Sequence, residues 1–207
     1  MASPARLKRR RRPVQERSRE TVQAILEAAA QVFERHGYAA GTTNRIAQRA
    51  GISVGSLYQY FPNKDAILVA LTEQHLEEGT ARLTPLLLEF ASRPPSIEDG
   101  LRQLVGATIE LHRHSPRLHR VLFEECPRPA ALQRRLQQVH AAAVGAVEAW
   151  LRACPERCTP DPRLAAELVI QVIEGVAHRL VIHPQAKQTP SRYADETVTL
   201  LSRYLLG

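Results

Sequence analysis

Apolar residues recur along this chain at spacings of three and four, the signature of helices with one buried stripe. Val22, Ile25, Leu26, Ala29 and Phe33 form the first stripe. Ser18 can cap its start, Glu20 suits its positive end, and Gly37 is expected to end it. Thr42 or Thr43 then caps a short helix with Ile46, Ala47 and Ala50 on one face. Gly51 supplies a sharp turn, Ser53 caps the next helix, and Pro62 ends it. Asn63 opens a stretch that reads as helix to about Phe90, with Pro85 expected to kink or break it. The loop Arg93 to Ser96 marks a boundary. Ser96, followed by Glu98 and Asp99, starts a helix to about His114. Pro116, Pro127 and Pro129 punctuate two further segments. A long helix follows from Pro129 to Ala153, with Leu132, Leu136, Val139, Ala143, Val147 and Trp150 on one side, and then a linker, CPERCTPDP. No stretch reads as a strand, so the fold class is all-α.

The last two helices are unusual. From Leu164 to Ile182, Glu167, Gln171, Glu174 and His178 make one narrow polar stripe, and nearly all else is apolar. The helix from Ser191 to Leu206 offers Val198, Leu201, Tyr204 and Leu205. Apolar surface that wide must be covered on several sides. Two such helices per chain can form a four-helix interface across a two-fold axis, giving a homodimer. The alternative is that both are core helices of a monomer.

The helix after Ser53 has two chemically distinct sides. Val54, Leu57, Tyr58 and Phe61 fall together and are expected to pack. Gly55, Ser56, Gln59 and Tyr60 fall opposite, small and polar with one large aromatic and no acid. Such a face suits the DNA major groove, where small residues allow close approach and polar tips reach base edges.

TTNRIA followed by AGISVGSLYQYFPNK resembles the helix-turn-helix signature of TetR-type (tetracycline-repressor-like) transcriptional regulators, over roughly residues 18 to 65. The resemblance implies an all-helical dimer, with a three-helix DNA-binding unit and a larger C-terminal domain. On that basis the chain divides into an arm (residues 1–17), a helix-turn-helix domain (18–64) and a ligand-binding and dimerisation domain (65–207). Thr43, Ser56, Tyr58 and Lys64 match phosphate-contacting positions of the family. Asn44, Val54, Gly55, Gln59 and Tyr60 match positions facing bases or the groove edge. Gln59 stands where an aromatic is frequent, and glutamine can pair bidentately with adenine. The resemblance also implies a palindromic double-stranded operator and release by a small apolar or aromatic effector. The effector pocket is expected among the helix around Trp150, the segment Leu101 to Leu111 and the helix around Ile173. Thr108 and Glu174 are its candidate polar groups. Phe123 and Trp150 are candidate aromatic lining, with ordinary core packing as the alternative.

Charge sharpens this picture. The 207 residues carry a net charge of +7 and are 44% apolar. Residues 1–19 hold eight bases and one acid, so the remainder sums to zero. The basicity is an N-terminal arm, either a solvated tail or an arm that lies along DNA and could enter a minor groove. No apolar segment follows the basic start as in a signal peptide, and no run has the length of a membrane span. Cys126, Cys154 and Cys158 suggest no disulfide framework, which fits a cytoplasmic protein. Cys154 and Cys158 lack the ligand set of a structural zinc site. His112, His114 and His119 could hold a metal, but more often cap helix ends or face solvent. No phosphate loop, nucleophile elbow or catalytic constellation is present, so neither enzyme activity nor a cofactor or metal is expected. The alternatives are an all-helical enzyme or small-molecule-binding protein, and a DNA-packing protein with little sequence preference.

Overall fold

The computed structural model describes residues 16–113, 116–182 and 189–207, and every regular element among them is helical. In chain order they are α1 (Glu16–Ala40), α2 (Thr43–Arg49), α3 (Val54–Tyr60), α4 (Lys64–Ser92), α5 (Ile97–Arg113), α6 (Pro116–Arg120), a π-helical turn (Val121–Glu125), α7 (Ala130–Ala153), α8 (Pro162–Ile182) and α9 (Pro190–Leu206). His114 and residues 1–15 of the basic arm lie outside the described residues.

α2, α3 and α4 begin where capping chemistry places them. Thr42 Oγ1 accepts from the Arg45 N–H, Ser53 Oγ from Ser56, and Asn63 Oδ1 from Ala66. Each side chain satisfies a backbone donor that a first helical turn leaves open. Gly51 takes φ 69° between α2 and α3, a conformation costly to any residue with a Cβ. Pro85 does not end α4, which continues to Ser92. Pro85 and Ala81, whose carbonyl it leaves without an N–H partner, are both exposed, so water can meet that carbonyl.

By contact, the described chain divides into two compact units. The first comprises residues 16–76 and 116–134, and the second residues 77–113, 135–182 and 189–207. In the first, Ile25, Ala29 and Phe33 of α1, Ile46 and Ala47 of α2, Leu57 of α3, Phe61 and Ile67 are wholly buried. Each large apolar side chain so covered contributes about 1.5–3 kcal/mol relative to exposure. Segment 116–134 belongs to this same core. The Glu34 carboxylate accepts from the Leu118 N–H at the start of α6, and Arg117 donates to the Arg35 carbonyl at 3.0 Å.

The second unit is built around Trp150. Its indole Nε1–H donates to the Pro95 carbonyl at 3.1 Å, and its ring lies 5.1 Å from that of Phe90. Leu101, Leu104 and Val105 of α5, Val147 and Leu151 of α7, Val169 and Ile173 of α8, and Val198 and Leu201 of α9 complete the cluster. The Glu156 carboxylate, from the linker after α7, accepts from the Ile97 N–H and supplements Ser96 as cap of α5.

Candidate nucleic-acid interface

Leu57 and Phe61 anchor α3 to the first unit, both fully buried. The opposite side is open: Gly55 and Gln59 are exposed, and Ser56 and Tyr60 half-buried. Asn44 at the start of α2 is exposed and Thr43 half-buried. The sequence expectation fails in one respect. Tyr58 was expected on the packed side with Leu57 and Phe61, but it is 41% exposed. One step of about 100° from Leu57 puts it at the margin of the apolar face. There its hydroxyl meets the Thr43 hydroxyl at 3.1 Å. Val54, the other marginal residue, is half-buried.

Gly55 is informative because the fold does not require it. Its φ is not in the left-handed region. A Cβ there would meet only Ser53 Oγ, at an ordinary 3.8 Å. Glycine in a helix costs up to about 1 kcal/mol relative to alanine, and no packing here offsets that. Its surroundings suit a surface that something else must approach closely.

The edge beside α3 is electropositive. Arg45 and Arg49 are exposed on α2, where Arg45 donates to the Ala40 carbonyl at 2.8 Å and Arg49 to the Gln31 side chain. His36 is held below its ordinary pKa by partial desolvation and by Arg45, Arg35 and Arg117. Lys64, at the start of α4, does not point freely outward. Its Nζ donates to the Tyr38 carbonyl at 2.9 Å and sits 3.9 Å from the centre of the Tyr38 ring. Tyr38 escaped the sequence reading; a tyrosine straight after a helix-ending glycine is the only signal it carries there.

The candidate effector residues are divided between the two units. Thr108 is buried and its hydroxyl donates to the Leu104 carbonyl at 2.8 Å. Trp150 is core. Glu174 is exposed on α8, though burial of its carboxyl raises its pKa against the pull of His140. Phe123 lies in the first unit, stacked on His119 at 5.8 Å between ring centres. A surface depression of about 360 Å³ lies elsewhere, lined by Glu98 and Arg102 of α5 and Asp195, Val198, Thr199, Ser202 and Arg203 of α9. Both described histidines of the HRHSPRLH stretch, His112 and His119, are buried. His119 neighbours His75, and His112 neighbours His178. Cys154, buried, has its thiol pushed up to about 11, which leaves it protonated and unreactive.

His112 gives the second unit a pH dependence. Burial lowers its pKa, opposed by the bond from Nδ1 to the Thr108 carbonyl at 2.7 Å. The unfolded chain therefore takes up the proton first, and stability falls as pH drops through the ordinary value of 6.5. The melting temperature is expected to fall between about pH 7.5 and 5.5, and His112→Gln to flatten that slope. An unchanged slope would leave His112 without a part in it.

A buried helix pair presenting a small, polar, acid-free helix face, edged by hydroxyls and cations, defines a helix-turn-helix DNA-binding protein. The family model "Bacterial regulatory proteins, tetR family" matches residues 25–71, and "Tetracyclin repressor-like, C-terminal domain" matches residues 96–205. The chain belongs to the TetR family of transcriptional regulators. It is 24% identical to the HTH-type transcriptional regulator AcrR of Shigella flexneri over 94% of each chain. It is 29% identical to the HTH-type transcriptional regulator YerO of Bacillus subtilis over 91 residues, covering 44% of this chain but only 31% of that one. Among solved structures it resembles SmeT, the repressor of the Stenotrophomonas maltophilia multidrug efflux pump SmeDEF. The TM-score is 0.65 with 26% identity over 91% of this chain and 93% of that one. No helix among the described residues is long and apolar enough to cross a membrane.

Proposed function

We propose that this protein is a cytoplasmic, homodimeric repressor that reads a palindromic operator with α3 and releases it on binding a small apolar or aromatic effector. The observation that carries this reading is the open face of α3, with a glycine that its own fold does not need. Asn44, Val54, Gly55, Gln59 and Tyr60 face the bases or the groove edge. Thr43, Ser56, Tyr58 and Lys64 hold phosphates, which fix register without reading sequence. The arm adds cations along the backbone. Residues 18–64 serve as the DNA-reading part and residues 65–207 as the effector and dimer part. α4, which leaves the DNA-reading part at Lys64 and runs on to Ser92, is the lever through which effector occupancy reaches α3. SmeT, a repressor, supports the sign of regulation.

The test is a competition between a duplex selected from a random library by the wild-type protein and random duplex of equal length. A packing protein would show little preference between them. Gln59→Ala and Tyr60→Ala are expected to weaken the selected site by about 1–3 kcal/mol each if they make good base contacts. Lys64→Ala is expected to weaken both duplexes alike and reduce the salt slope by roughly 0.9. Gly55→Ala is expected to stabilise the fold slightly while impairing DNA binding. Specific binding unaffected by the Gln59 and Tyr60 changes would remove α3 from the groove.

Effector release has a reciprocal signature. A ligand that weakens operator binding must itself bind more weakly in the operator's presence, by the same factor, with coupling of about 1–3 kcal/mol. A small molecule that binds tightly yet leaves operator affinity unchanged is not acting as inducer.

A further inference from the structure

We infer that Tyr38 is the residue that positions Lys64 for DNA phosphate; this rests on the DNA-binding reading above. Contacts converge on it from α1 and from the first turn of α4. Lys64 Nζ lies 3.9 Å from the centre of its ring and 2.9 Å from its carbonyl oxygen. Its hydroxyl donates to Asp65 Oδ1, the residue beside Lys64 in the first turn of α4. Its ring also stands 5.7 Å from that of Phe33, which is fully buried in α1. Gly37, at φ 73° and ψ 176°, breaks the helical path of α1 immediately before Tyr38. A residue with a Cβ would be strained in that conformation.

Lysine is a flexible point charge on a four-carbon stem, and fixing it costs rotamer entropy. Here that cost is met in the free protein. The ring face attracts the ammonium, the carbonyl takes one of its three donors, and two donors remain for a phosphate. The Tyr38 hydroxyl, bonded to the Asp65 carboxylate, also ties the ring to the first turn of α4.

The experiment is a double-mutant cycle on affinity for the library-selected duplex, with the salt slope and melting temperature of each variant measured alongside. Tyr38→Leu is expected to lower affinity about three- to tenfold while leaving the slope unchanged, because Lys64 can still reach the phosphate but must be ordered on binding. In the Lys64→Ala background, Tyr38→Leu is expected to have no further effect. Tyr38→Phe, which keeps the ring, is expected to bind within about twofold of wild type, as the cation–ring contact persists. An equal loss from Tyr38→Leu with and without Lys64 would mean Tyr38 only supports the fold, and the inference falls. Tighter binding by Tyr38→Leu would mean the ring sequesters Lys64 from DNA, which also overturns it. If Lys64→Ala leaves wild-type affinity intact, Lys64 meets no phosphate and there is nothing to position. If the wild-type protein selects no duplex, the DNA-binding reading itself fails and this inference goes with it.

Discussion

Changing Leu168 and Leu200 together to glutamate is expected to yield a folded monomer of 23.1 kDa that no longer holds a palindromic operator. Leu164 and Leu168 are 50% and 36% exposed one turn apart on α8, and Leu200 and Tyr204 are 60% and 41% exposed one turn apart on α9. Each helix therefore carries an i, i+4 apolar ridge that the rest of its own unit does not cover. A two-fold axis presents each ridge twice, so four ridges can close on one another as the core of a standard interface of about 800 Å² per partner. Glutamate at these positions would bury carboxylates without partners, at a cost of several kcal/mol each. Because the side chains are exposed in the single chain, the fold should tolerate the change. The dimer should not, and its dissociation constant should rise at least about a thousandfold, the equivalent of roughly 4 kcal/mol. Operator affinity should then drop by about 10²–10⁴, since two linked half-site contacts become independent ones. Binding to an isolated half-site should hardly change. Light scattering and titration of full and half operators check all three outcomes. A variant that stays dimeric with both glutamates places the interface elsewhere.

The second large effect is in the core of the C-terminal unit. Trp150→Ala is expected to cost about 3–5 kcal/mol in chemical denaturation, through lost burial and the cavity left behind. Gly100→Ala, a change of one methyl group, should cost about 1–3 kcal/mol through overpacking. A Cβ at Gly100 would lie 2.2 Å from Cζ2 of Trp150 and 2.7 Å from Cη2. The ring has little freedom to retreat, since its Nε1–H is bonded to the Pro95 carbonyl and Phe90 lies beside it. The two changes should not add, because removing the indole makes room for the methyl group, and neighbours that share a packing site couple. Full additivity would show that the glycine and the indole do not share that space.

Much of this was legible in local chemistry. The i, i+3, i+4 stripes marked the helices, and Ser53 and Asn63 were recognisable as caps because a cap acts on a donor only a few residues away. The family signature was contiguous, so α2, α3 and their candidate DNA-facing residues could be named from it. Pro85 does not break α4: sequence shows the missing N–H but not the exposure that lets water satisfy the carbonyl. Trp150 illustrates a different limit. Its type suits a pocket wall or a core equally well, and only its packing on Gly100 and Phe90 reveals the second.

The sequence by itself determined that the chain is all-helical, that a helix-turn-helix face lies between Thr43 and Lys64, and that the segment forming α8 is apolar on all but one narrow stripe. Each follows from side chains within a turn or two of one another. Only the tertiary structure decided that residues 116–134 pack with the N-terminal helices, since Glu34 and Leu118 are brought together from 84 residues apart. It also decided that Tyr58 turns outward to Thr43 and that Lys64 rests on Tyr38, 26 residues earlier. Periodicity reports which side of a helix is buried; which residue from elsewhere in the chain meets it depends on how the helices close on one another.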